Sequence, residues 1–160
     1  MNPNDPNVLM VEAAVRSLGD ICDRVVFVGG STTGLLVTED SRPQARATQD
    51  VDVIVELASL PAYYELDKEL RRSGFRSDAE VTCRWHIGEL KFDVIPTRDV
   101  GLGFANRWYP LAAQRAERRA LPSGAVIRVL HSAHRLTHFR VITAGACGLR
   151  LLRLREFDQA

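Results

Sequence analysis

The chain has 160 residues, 46% of them hydrophobic, and a formal net charge of +1 at pH 7. This is enough chain for one domain with a sizeable core, and the composition is that of an ordinary globular protein. No apolar run approaches the roughly 18 residues of a membrane span, and the N-terminus lacks the features of a secretory signal. We therefore expect a cytoplasmic protein without membrane association. Its three separated cysteines match neither a disulfide framework nor a zinc motif.

Basic side chains are concentrated in the second half of the chain. From Arg118 to Arg155 there are eight arginines and no aspartate or glutamate. Such asymmetry can indicate a polyanionic partner such as RNA, although a solvated basic face is an alternative.

The hydrophobic pattern predicts a small mixed sheet flanked by helices, an α/β domain of the α+β type. Apolar residues recur at helical spacing over Val8–Leu18. The valine-rich run of residues 24–28 predicts a buried strand that leads into a tight Gly-Gly turn. A short helix over residues 31–37 is expected next, with Ser31 as its N-cap.

The remaining predicted elements continue this alternation. They are a strand over 50–56, a helix over 59–75, a β-hairpin over 82–96 with a two-residue turn, a loop and helix over 103–120, and a strand over 125–130. Beyond about residue 130 the pattern weakens. We therefore predict a folded domain over residues 1–130 and an atypical basic C-terminal segment over 131–160.

Three aspartates lie in segments that otherwise have the pattern of buried strands. Asp50 and Asp52 are one residue apart, so their side chains leave the same face of a strand. Asp93 lies in a later apolar strand. Carboxylates placed close together repel one another, and a cation that prefers hard oxygen ligands, Mg²⁺ or Mn²⁺, would offset this repulsion. The pattern predicts that Asp50, Asp52 and Asp93 bind such a metal ion.

The Gly-Gly-Ser turn offers complementary chemistry. Gly29 and Gly30 permit close approach to the backbone, and a helix that starts at Ser31 presents free N–H groups to a phosphate. A phosphate site beside metal-binding carboxylates is typical of nucleotidyl transfer, in which Asp93 could accept the proton of the attacking hydroxyl. Each feature alone has a simpler explanation, because Gly-Gly is usually only a turn and a strand aspartate can pair with an arginine such as Arg46.

The order of these motifs resembles that of the DNA polymerase β-type nucleotidyltransferase superfamily, whose pattern is GGS, DxD and a third Asp. The matching segments here are "VGGS", "DVDVIVE" and "LKFDVIPT". More narrowly, "RATQDVD", which contains Arg46 and Thr48, and "DVIPT…LGFANRWY" resemble the AbiEii-type nucleotidyltransferase toxins of type IV toxin–antitoxin systems. The resemblance covers about residues 8–130.

This resemblance implies a Mg²⁺-dependent enzyme that transfers a nucleoside monophosphate from an NTP to an acceptor, typically the 3′ end of a tRNA. It implies that Gly29, Gly30 and Ser31 contact the triphosphate and that Arg46 lies near it. A cognate antitoxin protein is an expected type of partner.

The resemblance stops after the segment "AVIRVL". The family usually continues with a segment like "SPPYFLATKLEAF", whose lysine is expected to contact the nucleotide phosphates, whereas this chain continues as "HSAHRLTHFRVITAGACGLRLLRLREFDQA". One hypothesis is that a frameshift or truncation replaced the family's C-terminal half. The other is a short natural variant in which Arg135 or Arg140 takes the place of the lysine, since arginine also binds phosphate.

Two alternative functions are compatible with the same residues. One is a catalytically weak or inactive remnant that binds nucleotide or a partner protein. The other is a nucleotidyltransferase that modifies a small molecule such as an antibiotic. The basic second half of the chain favours RNA over an aminoglycoside, because clustered arginines bind a polyanion.

Overall fold

The protein is described by a computed structural model over residues 1–36 and 47–130, with the backbone of residues 139–143 and 149–153. In this part of the chain, seven strands form one mixed sheet with helices packed against it. The predicted α+β class, a mixed sheet flanked by helices, is confirmed.

The elements alternate along the chain, with 3₁₀ turns on either side of the first strand at Gly19–Arg24 and Gly30–Thr32. In order they are α1 (Pro6–Leu18), β1 (Val25–Val28), α2 (Thr33–Leu36), β2 (Val51–Val55), α3 (Leu60–Arg72), β3 (Arg76–Ser77), β4 (Arg84–Ile87), β5 (Leu90–Pro96), α4 (Tyr109–Gln114), β6 (Ala116–Ala120), β7 (Val126–Leu130), β8 (Phe139–Thr143) and β9 (Leu149–Arg153). The sheet order is β3-β4-β5-β2-β1-β7-β6, and β8 pairs with β9 in a separate antiparallel sheet.

Strand register brings distant parts of the sequence to one place in the middle of this sheet. β1 runs antiparallel to β2, so Val28 at the end of β1 lies opposite Asp52 near the start of β2. β2 runs parallel to β5, and Asp52 also lies opposite Asp93. The Gly-Gly turn after β1 is therefore next to both aspartates.

The central strands bury side chains on both faces of the sheet. Phe27, Val53 and Val94 belong to a cluster that includes the apolar faces of α1 and α3. Val26 and Ile54 belong to a second cluster that includes residues of α4. Because strand side chains alternate, the aspartates of β2 and β5 leave the sheet on the α4 side. The prediction that the DxD pair points away from its valine neighbours is confirmed.

The principal helices begin where the local sequence supplies caps. The Asp5 carboxylate accepts hydrogen bonds from the N–H groups of Asn7 and Val8, and Pro6 occupies the first turn of α1. The helix therefore starts two residues before the predicted Val8.

None of the helices in the described residues is long and apolar enough to cross a membrane.

Three details of the sequence-based prediction are wrong. Ser31 does not cap a helix, since a 3₁₀ turn over Gly30–Thr32 precedes the short α2. The segment 103–120 contains a loop and α4 as expected, but its last five residues form β6, because they pair along their whole length with β7. The short edge strand β3 was also not predicted.

Candidate metal centre

The three aspartates predicted to bind a metal are brought together. One carboxylate oxygen from each of Asp50, Asp52 and Asp93 lies within 4.8 Å of the others. Asp52 and Asp93 are each only 5% exposed, whereas Asp50, which directly precedes β2, is half-buried. The cluster thus combines two buried carboxylates with one half-buried carboxylate.

Gly29 leaves the space into which the Asp52 carboxylate fits. A Cβ at this position would overlap Asp52 Oδ2 and would lie 3.2 Å from its Cγ. The backbone of Gly29 also has φ 77° and ψ −159°, a region that essentially only glycine adopts. Both the conformation and the contact require glycine, so this half of the Gly-Gly motif serves the aspartate cluster directly.

Asp50 is held by a chain of hydrogen bonds that reaches α1. The Thr48 hydroxyl donates to Asp50 Oδ1 at 2.9 Å, and the Thr48 backbone N–H donates to Asn7 Oδ1 at 3.0 Å. The Asn7 amide donates in turn to the Thr33 hydroxyl beyond the glycine turn, at 3.5 Å. Asn7 is fully buried. This one side chain therefore ties together the two segments that border the site, and the sequence pattern gave no reason to single it out.

Arg84 is the second residue at the site that the sequence analysis did not single out. Its Nε and one terminal nitrogen donate to the two carboxylate oxygens of Asp93, each at 2.8 Å. The same guanidinium lies 3.7 Å from Asp50 Oδ2. Asp93 is therefore not an unpaired carboxylate, because it has a bidentate arginine partner. The signal was available, since Arg84 lies opposite Asp93 in the predicted hairpin.

The predicted phosphate-binding residues differ in accessibility. Gly30 is exposed and Gly29 is half-buried, but Ser31 is fully buried and its hydroxyl donates to the Val28 carbonyl at 3.4 Å. Thr32 and Thr33 likewise donate to the carbonyls of the two glycines. The hydroxyl groups of this segment thus stabilise the turn itself.

Several predicted contributors lie outside the described residues. They are Arg46, which was expected near the triphosphate, and Arg135; for Arg140 only the backbone, in β8, is described.

The electrostatics of the cluster show that it carries more negative charge than its surroundings stabilise. The pKa of Asp52 is raised from 3.8 to about 7, first by burial and then by the charges of Asp50 and Asp93, while Arg84 opposes the shift. Without a cation, the Asp52 carboxyl is therefore partly protonated at neutral pH. A bound divalent ion would favour its ionised form.

Tyr109 at the start of α4 is part of the same environment. It is buried, and its pKa is raised by desolvation first and then by the charges of Asp52 and other neighbouring acids. The phenol therefore stays neutral at physiological pH.

The raised pKa of Asp52 predicts how the stability of the metal-free protein depends on pH. The folded state holds this proton up to about pH 7 and the unfolded state only up to about 3.8. The contribution of Asp52 is thus fully present below about pH 4 and is lost as pH rises towards 7, with a total on the order of 4 kcal/mol. Urea unfolding in EDTA at several pH values measures the free energy of unfolding of wild type and of Asp52→Asn. The wild-type value minus the Asp52→Asn value should fall as pH rises from about 4 to 7.

The comparison with Asp52→Asn removes the effects of other acids. Asp78, for example, has its pKa lowered to about 2 by hydrogen bonds from His86 and two backbone N–H groups, so its stabilisation is lost as pH falls below about 4. A wild type minus variant difference that is flat between pH 4 and 7 would contradict the electrostatic account of Asp52.

The donor set fits a hard divalent cation. Carboxylates are the ligand type that Mg²⁺ and Mn²⁺ prefer. Two of the three are buried, and burial together with the neighbouring acids raises the pKa of Asp52. The guanidinium of Arg84 offsets only part of the negative charge of the three carboxylates, because the pKa of Asp52 remains raised in its presence.

Comparisons with known proteins assign neither a family nor a function to this chain. The chain matches no protein-family model, and a search of curated proteins gave no significant match.

Proposed function

We propose that this protein is a metal-dependent nucleotidyltransferase, which moves a nucleoside monophosphate from an NTP to an acceptor hydroxyl and releases pyrophosphate. The observation that carries the proposal is the convergence of Asp50, Asp52 and Asp93 beside the Gly29 turn. The motif order GGS, DxD and Asp, which resembles that of the polymerase β-type superfamily and of its AbiEii-type toxins, supports it further.

Each aspartate has a role that follows from its position. Asp50 and Asp52 would hold the cation, with Asp50 oriented by Thr48 and Asp52 fixed in the sheet between β1 and β5. Bound Mg²⁺ would neutralise the triphosphate and the charge that develops during transfer. Asp93 would help to hold the cation next to the acceptor hydroxyl and would accept the proton of that hydroxyl on a carboxylate oxygen.

The nucleotide phosphates would bind along the glycine turn. Gly30 is its exposed residue, so its backbone is the part of the motif that a triphosphate can reach. The buried Ser31 would act by holding the turn closed through Val28 rather than by direct contact. Arg46 remains a predicted phosphate ligand on the basis of the family resemblance.

We propose RNA, with a tRNA 3′ end as its reactive group, as the acceptor. Arg118 on β6 and Arg128 on β7 are cross-strand neighbours; Arg118 is exposed, and Arg128 is half-buried and donates to the Ala113 carbonyl at 2.9 Å. Two arginines side by side are unfavourable for an isolated sheet and favourable for a polyanion partner. A cytoplasmic location and control by an antitoxin protein complete the proposed toxin-like function.

Incubation with each of the four α-labelled NTPs, Mg²⁺ and total RNA tests the proposal. We expect one NTP to label RNA of a defined size class, and EDTA to abolish the labelling. A parallel reaction contains an aminoglycoside in place of the RNA. Transfer to the aminoglycoside but not to RNA would exclude the RNA acceptor. The absence of transfer from any NTP to any acceptor would contradict the enzymatic proposal.

The Arg84–Asp93 pair favours a second candidate, a catalytically weak protein of the same fold that binds nucleotide or a partner protein. A bidentate arginine can satisfy the third carboxylate without a metal. Binding of NTP with Mg²⁺ in a calorimetric titration, without product in the labelling assay, would identify this alternative.

A further inference from the structure

Arg84 occupies an unusual place for an arginine in a proposed metal centre. Its guanidinium engages both carboxylate oxygens of Asp93 and faces Asp50 as well. The side chain is 26% exposed and that of Asp93 only 7%, so the pair lies at the inner boundary of the site. Arg84 donates to both oxygens of Asp93, so a cation held by all three carboxylates would have to take an oxygen that this guanidinium already engages.

The pair is a product of the β4–β5 hairpin rather than a chance surface contact. Arg84 lies directly opposite Asp93 in the register, and the two-residue turn at Gly88 fixes that register. The flanking cross-strand pair, Trp85 with Phe92, is fully buried on the opposite face of the sheet. The backbone therefore holds Arg84 within reach of Asp93 whether or not a cation is present.

We propose that Arg84 is an internal counter-ion which a divalent cation must displace from Asp93 before the site is complete. This inference rests on the proposed metal-dependent function. In the metal-free protein Arg84 stabilises Asp93 and lowers the affinity of the carboxylates for a cation. The affinity of the three carboxylates for a free cation therefore stays low. A cation that also binds a triphosphate has additional interaction energy with which to displace Arg84.

Replacement of Arg84 by glutamine tests this competition through metal binding alone. Mn²⁺ titration followed by electron paramagnetic resonance, without nucleotide, should give a dissociation constant at least about tenfold lower for Arg84→Gln than for wild type, because one nearby positive charge is gone. In EDTA the variant should melt at a lower temperature than wild type, and Mn²⁺ should raise its melting temperature by more. Damage to the fold would instead weaken Mn²⁺ binding, so the two effects have opposite signs.

Arg76→Gln is the matched control, since Arg76 is an exposed arginine on the neighbouring strand β3. It changes the net charge equally and should leave Mn²⁺ affinity within about twofold of wild type. Unchanged or weaker Mn²⁺ binding by Arg84→Gln, with wild type binding normally, would overturn the proposal.

Two further outcomes are distinguishable. If neither wild type nor Arg84→Gln binds Mn²⁺, the metal centre itself is refuted, and the competition with it. If Arg84→Gln does not fold, Arg84→Lys serves instead, because one ammonium cannot hold both oxygens of Asp93 in the same way. Tighter Mn²⁺ binding by Arg84→Lys than by wild type would support the displacement, and equal or weaker binding would contradict it.

Discussion

Asp52→Asn is expected to reduce nucleotidyl transfer by roughly 10³-fold or more while the protein remains folded. Asp52 is the central ligand of the proposed site, with β1 on one side and Asp93 on the other. Asparagine has nearly the same shape but no negative charge. Since burial and neighbouring acids already disfavour the ionised form of Asp52, the neutral side chain should not destabilise the metal-free fold. Transfer from an α-labelled NTP and urea unfolding measure the two effects.

Asp23→Asn provides the control for loss of one acid. Asp23 is exposed and lies at the 3₁₀ turn before β1, away from the carboxylate cluster. It should retain wild-type transfer. Equal transfer by wild type and Asp52→Asn would contradict the proposed role of the cluster, whatever its stability.

Gly29→Ala should have the second largest effect, because it damages both the fold and the site. The added Cβ would overlap Asp52 Oδ2, and the backbone conformation at Gly29 is one that alanine avoids. Asp52 is buried in a central strand and cannot easily move away. We expect a loss of roughly 3 kcal/mol or more in the free energy of unfolding, measured by urea titration.

Gly19→Ala separates backbone strain from the contact with Asp52. Gly19 also has positive φ, with φ 53° and ψ −129°, but a Cβ there would meet nothing within 4 Å. Its loss of stability should be clearly smaller than that of Gly29→Ala. Equal losses would show that the glycine is needed for its backbone conformation alone and that the close packing against Asp52 contributes nothing.

Much of the sheet could be predicted because its strands have strong local signals. The β-branched run of β1 ends at two glycines, and the hairpin of β4 and β5 has Gly88 at its turn. The alternation of valine and aspartate in β2 placed the carboxylates on one face. These local patterns were enough to predict that Asp50, Asp52 and Asp93 converge.

The errors arose where long-range contacts override local preference. Ala116–Ala120 has the composition of a helix, but β7 was available to pair with it. Ser31 has the identity of an N-cap, yet its hydroxyl is buried against Val28. Asn7 and Arg84 act through partners more than eight residues away, so a reading of adjacent residues gave them no role.

Soaking a crystal of the protein in Mn²⁺ would show directly whether the three aspartates form a metal centre. We expect an anomalous difference peak within about 2.5 Å of carboxylate oxygens of Asp50 and Asp52, and of an Asp93 released from Arg84. No peak at this position, with Arg84 still bound to both oxygens of Asp93 at saturating Mn²⁺, would contradict the proposed metal centre.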